Sequence, residues 1–192
     1  MVDPIVTKGA KVLAQRTKEV PKELFGSKEL GRILKHMSAS LRATSHGVAI
    51  AANQIGLSYR IFVVRGFVMA GKERSDEDVD VAFVNPKISK LSRKKELMDE
   101  ACLSVPGLHG AIKRSLLATV TAYNEKGKKF ERGASGLLAQ IFQHETDHLE
   151  GILYVDKAEE VLENPPEENE TPTPEGVGVP TEASGKKHAE KP

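Results

Sequence analysis

The sequence has a single cysteine in 192 residues, almost no excess of either charge and no long apolar run. One thiol, Cys102, excludes an internal disulfide framework and suits a reducing compartment. With 28 basic against 27 acidic residues, no strong field faces nucleic acid or a membrane surface, and no direct nucleic-acid motif is present. The longest apolar stretches fall far short of a bilayer span, so no membrane partner is expected. The first residues lack the charged start and apolar run of a secretory leader, and a cytoplasmic location is the expectation. Hydrophobic residues make up 39% of the chain, below the roughly 45–50% usual for globular proteins. The shortfall is local. From Asn164 to Pro192, six prolines and six glutamates accompany only two sizeable apolar residues, Val177 and Val179. Such a stretch cannot bury enough surface to offset the entropy of ordering. Residues 164–192 are therefore read as a disordered Pro/Glu-rich tail, and residues 1–163 as one domain.

Within that domain, Pro4, Gly9, Pro21 and Gly26 break residues 1–26 into an irregular arm. Ser27 is placed to cap a helix that carries Leu30, Ile33, Leu34, Met37 and Leu41 at helical spacing. A Gly/Ala-rich segment, residues 46–56, leads into Ile61-Phe62-Val63-Val64, a buried strand by composition. Residues 66–78 read as a loop, and Val79 to Val84 as a strand ending at Asn85-Pro86. Leu116 to Tyr123 is a further strand, returned through Asn124-Glu125-Lys126-Gly127 to a short partner at residues 128–132. Ser135 is positioned to cap a last helix to about Leu149, and Gly151 to end it. Strands followed by a long closing helix predict an α+β domain, with mixed or antiparallel sheets packed around that helix.

The chemistry is concentrated in Gln143-His144-Glu145-Thr146-Asp147-His148. Residues four apart share a helix face, so His144 and His148 can present two imidazoles to one ion. Glu145, beside the first of them, can then reach a water on that ion. Leu137 and Ile141 fall on the face of His144 and give it an apolar wall. The same pair of histidines would also suit a solvated helix surface, so the reading needs a third ligand. Downstream, His188 lies in the tail. Upstream, Glu100-Ala101-Cys102-Leu103-Ser104 offers the only thiol, and a thiolate with two imidazoles makes a three-ligand site. A lone cysteine is more often a small buried hydrophobe. In Gly47-Val48-Ala49-Ile50-Ala51-Ala52-Asn53-Gln54, small residues allow close backbone approach and Gln54 carries an amide N–H suited to an oxyanion. A small-residue helix packed under the sheet would explain that segment equally.

The three segments occur in the order G-V-A-I-A-A-N-Q, E-A-C-L-S, Q-H-E-T-D-H-L, and on them the chain resembles the peptide deformylases over most of residues 1–155. The resemblance implies a metal-dependent hydrolase that removes the formyl group from the N-terminal formyl-methionine of nascent polypeptides, with residues 1–163 as its catalytic domain. It implies Cys102, His144 and His148 as ligands, Glu145 as acid/base, and Gln54 with the Leu103 backbone N–H as oxyanion donors. Val48, Ala49, Glu100, Leu137 and Ile141 would then meet the substrate. Arg114 and Asp147 are expected to brace the site, although the sequence does not say which carboxylate pairs with the guanidinium. Ferrous iron is the favoured ion, with zinc, nickel and cobalt compatible with the same ligands. The expected partners are formylated nascent chains and the ribosome near its exit tunnel, with the enzyme a monomer. Two positions depart from the family pattern, Ala49 and Ala101 standing where glycine is usual. An H-E-x-x-H metallopeptidase with a different third ligand, and a non-catalytic or specialised metal-binding module, are the competing readings.

Overall fold

The computed structural model describes residues 1–73 and 78–164. From residue 165 onward the predicted tail lies outside the described residues, as do residues 74–77 of the predicted loop.

A 15-residue helix, α1 (Lys28–Arg42), begins where Ser27 Oγ accepts the Leu30 N–H at 3.1 Å. Glu29 in its first turn and Arg42 in its last complement the helix dipole. Strands β1 (Ala49–Ala51) and β2 (Ile61–Val64) follow, then a short helix α2 (Gly66–Ala70), where the sequence suggested only a loop. Strand β3 (Val81–Leu91) continues past the Asn85-Pro86 pair that was expected to end it. The ladder to its neighbour shifts register between Val84 and Lys87, so the missing N–H of Pro86 falls in an irregularity rather than in the pairing. Asn85 adopts φ 49°, and its side chain closes on both polar groups of the Val20 backbone, at 2.7 and 2.9 Å. Strands β4 (Lys95–Cys102) and β5 (Val105–Ser115) form a long hairpin that the sequence did not reveal. Seven of eight β4 residues are at least partly open to solvent, so no clear apolar alternation marks it. Strands β6 (Leu117–Tyr123) and β7 (Lys129–Ser135) are the predicted hairpin. Helix α3 (Gly136–Leu149) and strand β8 (Glu160–Glu163) complete the order. Ser135 makes no side-chain bond to α3, contrary to its expected cap role, whereas Gly151 at φ 78° closes the far end with its N–H on His148 O.

The strands form two antiparallel sheets, β1-β2-β3-β6-β7 and β4-β5-β8. Both faces of the larger sheet are covered. Ile50, Ile61, Val63 and Val84 turn toward Leu30, Met37 and Leu41 of α1, and Ala49, Ala51, Phe62, Phe83 and Val120 toward Ala139 and Phe142 of α3. Burial on two sides is why β2 reads as an unbroken apolar run. Beneath α3, Phe62 and Phe83 stack at 4.6 Å, and Phe142 meets Phe83 edge-on at 5.2 Å. Small side chains at Ala49, Ala51 and Ala139 let α3 lie close to β1. No helix among the described residues is long and apolar enough to cross a membrane.

Candidate metal centre

Three elements converge at one end of α3. The helix supplies His144 and His148, whose ring centroids are 5.0 Å apart. Cys102 stands where β4 turns toward β5, and its Sγ lies 3.1 Å from His148 Nε2. One ligating atom from each of Cys102, His144 and His148 falls within 4.8 Å of the others, the only such cluster of His, Cys, Asp or Glu among the described residues. Donors bonded at about 2.0–2.3 Å to a tetrahedral ion stand about 3.5 Å apart, so this set fits one ion with a position to spare.

The helical turn Ala52–Ile55 brings Gln54 to the sulfur. Its Oε1 accepts the Ala51 N–H at 2.8 Å, which fixes the amide so that Nε2 faces Cys102 Sγ (3.6 Å) and Ser104 Oγ (3.1 Å). The Ser104 N–H also points at Sγ, 3.4 Å away. Ser104 is fully buried, and its part in holding Gln54 was not foreseen.

Glu100 and Arg114 brace this cluster. Arg114 donates to both carboxylate oxygens of Glu100, at 2.7 and 2.9 Å, and to Asp147 at 2.6 Å. Both expected carboxylates thus hold the one guanidinium. Glu100 also takes His144 Nδ1 at 2.8 Å, which leaves Nε2 of that ring for an ion. Lys157, which the sequence did not flag, binds the other oxygen of Asp147 at 2.7 Å. Burial alone would raise the Glu100 carboxyl, but the bonds from Arg114 and His144 outweigh it and hold it at about 2. In the metal-free protein burial opposes charge on His144, yet Cys102 and Glu100 push it up to about 10. Burial pushes His148 well below its ordinary value, which keeps it neutral.

Glu145 is 4% exposed, and its Oε2 has no hydrogen-bond partner. Burial raises its carboxyl to about 7, with His144 opposing. A cation beside it would draw that value down again. Above these groups opens a cavity of about 420 Å³. Its lining includes every expected substrate-contacting residue, namely Val48, Ala49, Glu100, Leu137 and Ile141, together with Leu103, Gln54 and Glu145. His46 and Gln140 line it as well, and nothing in the sequence pattern marked either. Of the remaining histidines, His36 pairs with Asp3 and His109 with Asp99.

The two departures from the resembled pattern carry no backbone strain. Ala49 lies in β1 and Ala101 in β4, and Asn85 is the one non-glycine residue with positive φ among the described residues. The irregular N-terminal arm touches all three segments through the backbone. Val6 N–H donates to Gln54 O, Lys8 N–H to Ser104 O, and Thr17 N–H to Leu149 O, at 2.8–2.9 Å.

The family model for polypeptide deformylase matches residues 2–164. The chain is 40% identical over 163 residues to the Arabidopsis thaliana peptide deformylase 1A, chloroplastic/mitochondrial, covering 80% of this chain and 60% of that one. It is 36% identical to the peptide deformylase of Desulforudis audaxviator, covering 77% of this chain and 87% of that one. The Met-Ala-Ser-bound class I type b peptide deformylase of Acinetobacter baumannii superposes with a TM-score of 0.73 at 31% identity, over 82% of this chain and 99% of that one. The chain thus spans about 60% of the plant relative's length and nearly all of the solved bacterial one.

Proposed function

The chain belongs to the polypeptide deformylase family, and from that premise we propose that it hydrolyses the formyl amide at the N-terminal formyl-methionine of nascent polypeptides, releasing formate. The observation that carries this reading is the convergence of Cys102, His144 and His148, whose ligating atoms lie within 4.8 Å of one another, with Glu145 buried beside them and lining one cavity with Gln54.

Cys102, His144 and His148 would hold a divalent ion, which would supply Lewis acidity for activating water and the formyl group. Glu145 takes the proton of the attacking water and returns one to the departing amine. A carboxyl raised by burial, which a nearby cation would lower again, suits both steps. Ala51 and Ser104 hold the Gln54 amide, and its other N–H, which faces Cys102 Sγ at 3.6 Å, turns from the sulfur to the developing oxyanion beside the Leu103 backbone N–H. Each such donor contributes about 3 kcal/mol to lowering the barrier. Val48, Leu137 and Ile141 form the wall of a slot for the methionine side chain. Strand β1 is the end strand of its sheet, paired only with β2, so its free edge can take the substrate backbone as an added strand. Ala49 lies on that strand, and its methyl and that of Ala101 tune substrate fit rather than the chemistry.

Ferrous iron is the proposed resident ion, and the soft thiolate and borderline imidazoles of the site accommodate zinc, nickel or cobalt as well. The domain is proposed to end near residue 163, with the tail beyond it dispensable for the reaction. A monomer acting close to the ribosomal exit tunnel, where formylated N-termini emerge, completes the reading. The single cysteine supports a reducing compartment such as the cytoplasm.

The deciding assay is release of free amine from formyl-Met-Ala-Ser by purified protein loaded with iron or nickel. No release with the ion demonstrably bound would overturn the enzymatic reading. Cys102→Ser should abolish both metal retention and turnover. A metallopeptidase with another third ligand would keep its metal.

A further inference from the structure

The turn that carries Gln54 carries a second amide that the proposed mechanism does not use. Asn53 is fully buried, and its Nδ2 donates to the backbone oxygen of His148 at 2.6 Å across 95 residues of sequence. That bond fixes the amide, since a flip would set two oxygens against each other. Asn53 Oδ1 then points elsewhere, buried and without a hydrogen-bond partner. In the residue whose carbonyl this amide holds, His148 Nδ1 is also buried and unpartnered. The two orphans are complementary. His148 turns Nε2 toward Cys102 Sγ, so a neutral imidazole ligating through that atom carries its proton on Nδ1. One residue thus lacks an acceptor for a proton while its neighbour lacks a donor for an oxygen. His144 has no such need, because Glu100 already takes its Nδ1.

We propose that Asn53 is a positioning residue for His148, its side-chain oxygen serving the Nδ1–H of the imidazole through one enclosed water that the two share. A buried water satisfies polar groups that lack protein partners, Asn53 and His148 are already tied by one direct bond, and a ligating imidazole is oriented by the bond on its other nitrogen. The turn Ala52–Ile55 therefore works in two directions, Gln54 facing the thiolate and Asn53 setting the tautomer and ring angle of the histidine opposite. The inference rests on His148 acting as a ligand, as proposed above.

The test is zinc titration of the full chain after stripping with a chelator, read by competition with a chromophoric indicator, alongside thermal melting of the metal-free protein. Wild type that binds no zinc would sink the metal reading itself. If wild type binds zinc, Asn53→Leu should weaken the affinity by about 10–100-fold. Asn53→Asp keeps an acceptor for Nδ1–H but loses the donor to the His148 carbonyl, so it should melt lower yet stay within about threefold of wild type in zinc affinity. Equal losses of affinity in the two variants would assign the effect to the backbone anchor and overturn the proposal. No loss in either would also overturn it. Should the variants fail to fold, the zinc-loaded wild type with ¹⁵N-labelled histidine decides. The His148 Nδ1 proton is expected to be protected from exchange, and exchange at solvent rates would refute the assignment.

Discussion

Replacing Glu100 by glutamine tests the brace behind the proposed ligands. The carboxylate and its guanidinium partner Arg114 are 3% and 6% exposed, so neither charge is relieved by water. Glu100 accepts three bonds, two from Arg114 and one from His144. The better amide orientation keeps its oxygen between Arg114 and His144 and turns its NH₂ onto the Arg114 Nε–H, setting donor against donor. Breaking a buried pair from one side costs about 3–5 kcal/mol. Asp147 still holds Arg114 at 2.6 Å, which brings the expected loss to about 2–4 kcal/mol. Urea unfolding with excess chelator measures it without a contribution from metal. Zinc affinity should fall by about 10–100-fold in the same variant, because His144 loses its orienting anion. The wild-type advantage should also depend on pH in the metal-free protein. The Glu100 carboxyl is lowered from 4.5 to about 2 on folding, so its contribution is fully present above 4.5 and is lost as pH falls through about 2. A loss below about 1 kcal/mol with unchanged zinc affinity would show that Asp147 alone supports Arg114, and would refute the reasoning.

Glu145→Gln should retain its metal while turnover on formyl-Met-Ala-Ser falls by about 10²–10⁴-fold, and near-normal turnover would remove Glu145 from proton transfer. Phe142→Ala deletes a fully buried ring packed against Phe83 and Phe62, and chemical denaturation should register a loss of about 3–5 kcal/mol. Ending the chain after Asn164, whose N–H is the last described tie to Gly107 O, should leave kcat/KM within about twofold. A larger drop would assign the Pro/Glu-rich segment a part in the reaction.

Much of this protein is legible in one dimension because its determinants are local. The Ser27 cap and the spacing of Leu30, Met37 and Leu41 specify α1 whatever lies around it, and the four-residue interval between His144 and His148 places both rings on one face of α3. The turn Asn124–Gly127 gives the β6–β7 hairpin in the same way. The β4–β5 hairpin is different. Its small core, Val105 and Ile112 against Leu153 and Tyr154, draws half its members from residues that follow α3, so its own strands show little pattern. The continuation of β3 beyond Pro86 likewise depends on Asn85 reaching back to Val20.

The same division runs through the site. The order of the three short segments, and the family resemblance that it carries, nominate Cys102, His144, His148, Glu145 and Gln54, whereas the residues of a single segment leave Cys102 and Gln54 open. Arg114 and Asp147 were expected to brace the site, but how the bracing groups pair was decided only by the tertiary structure. Arg114 takes Glu100 and Asp147 together, Ser104 and Ala51 orient Gln54, and Asn53 reaches the carbonyl of His148 from a turn 95 residues away in sequence. Hydrogen bonds are short and directional, so partners remote along the chain are fixed by the packing of sheet against helix and leave no spacing to read.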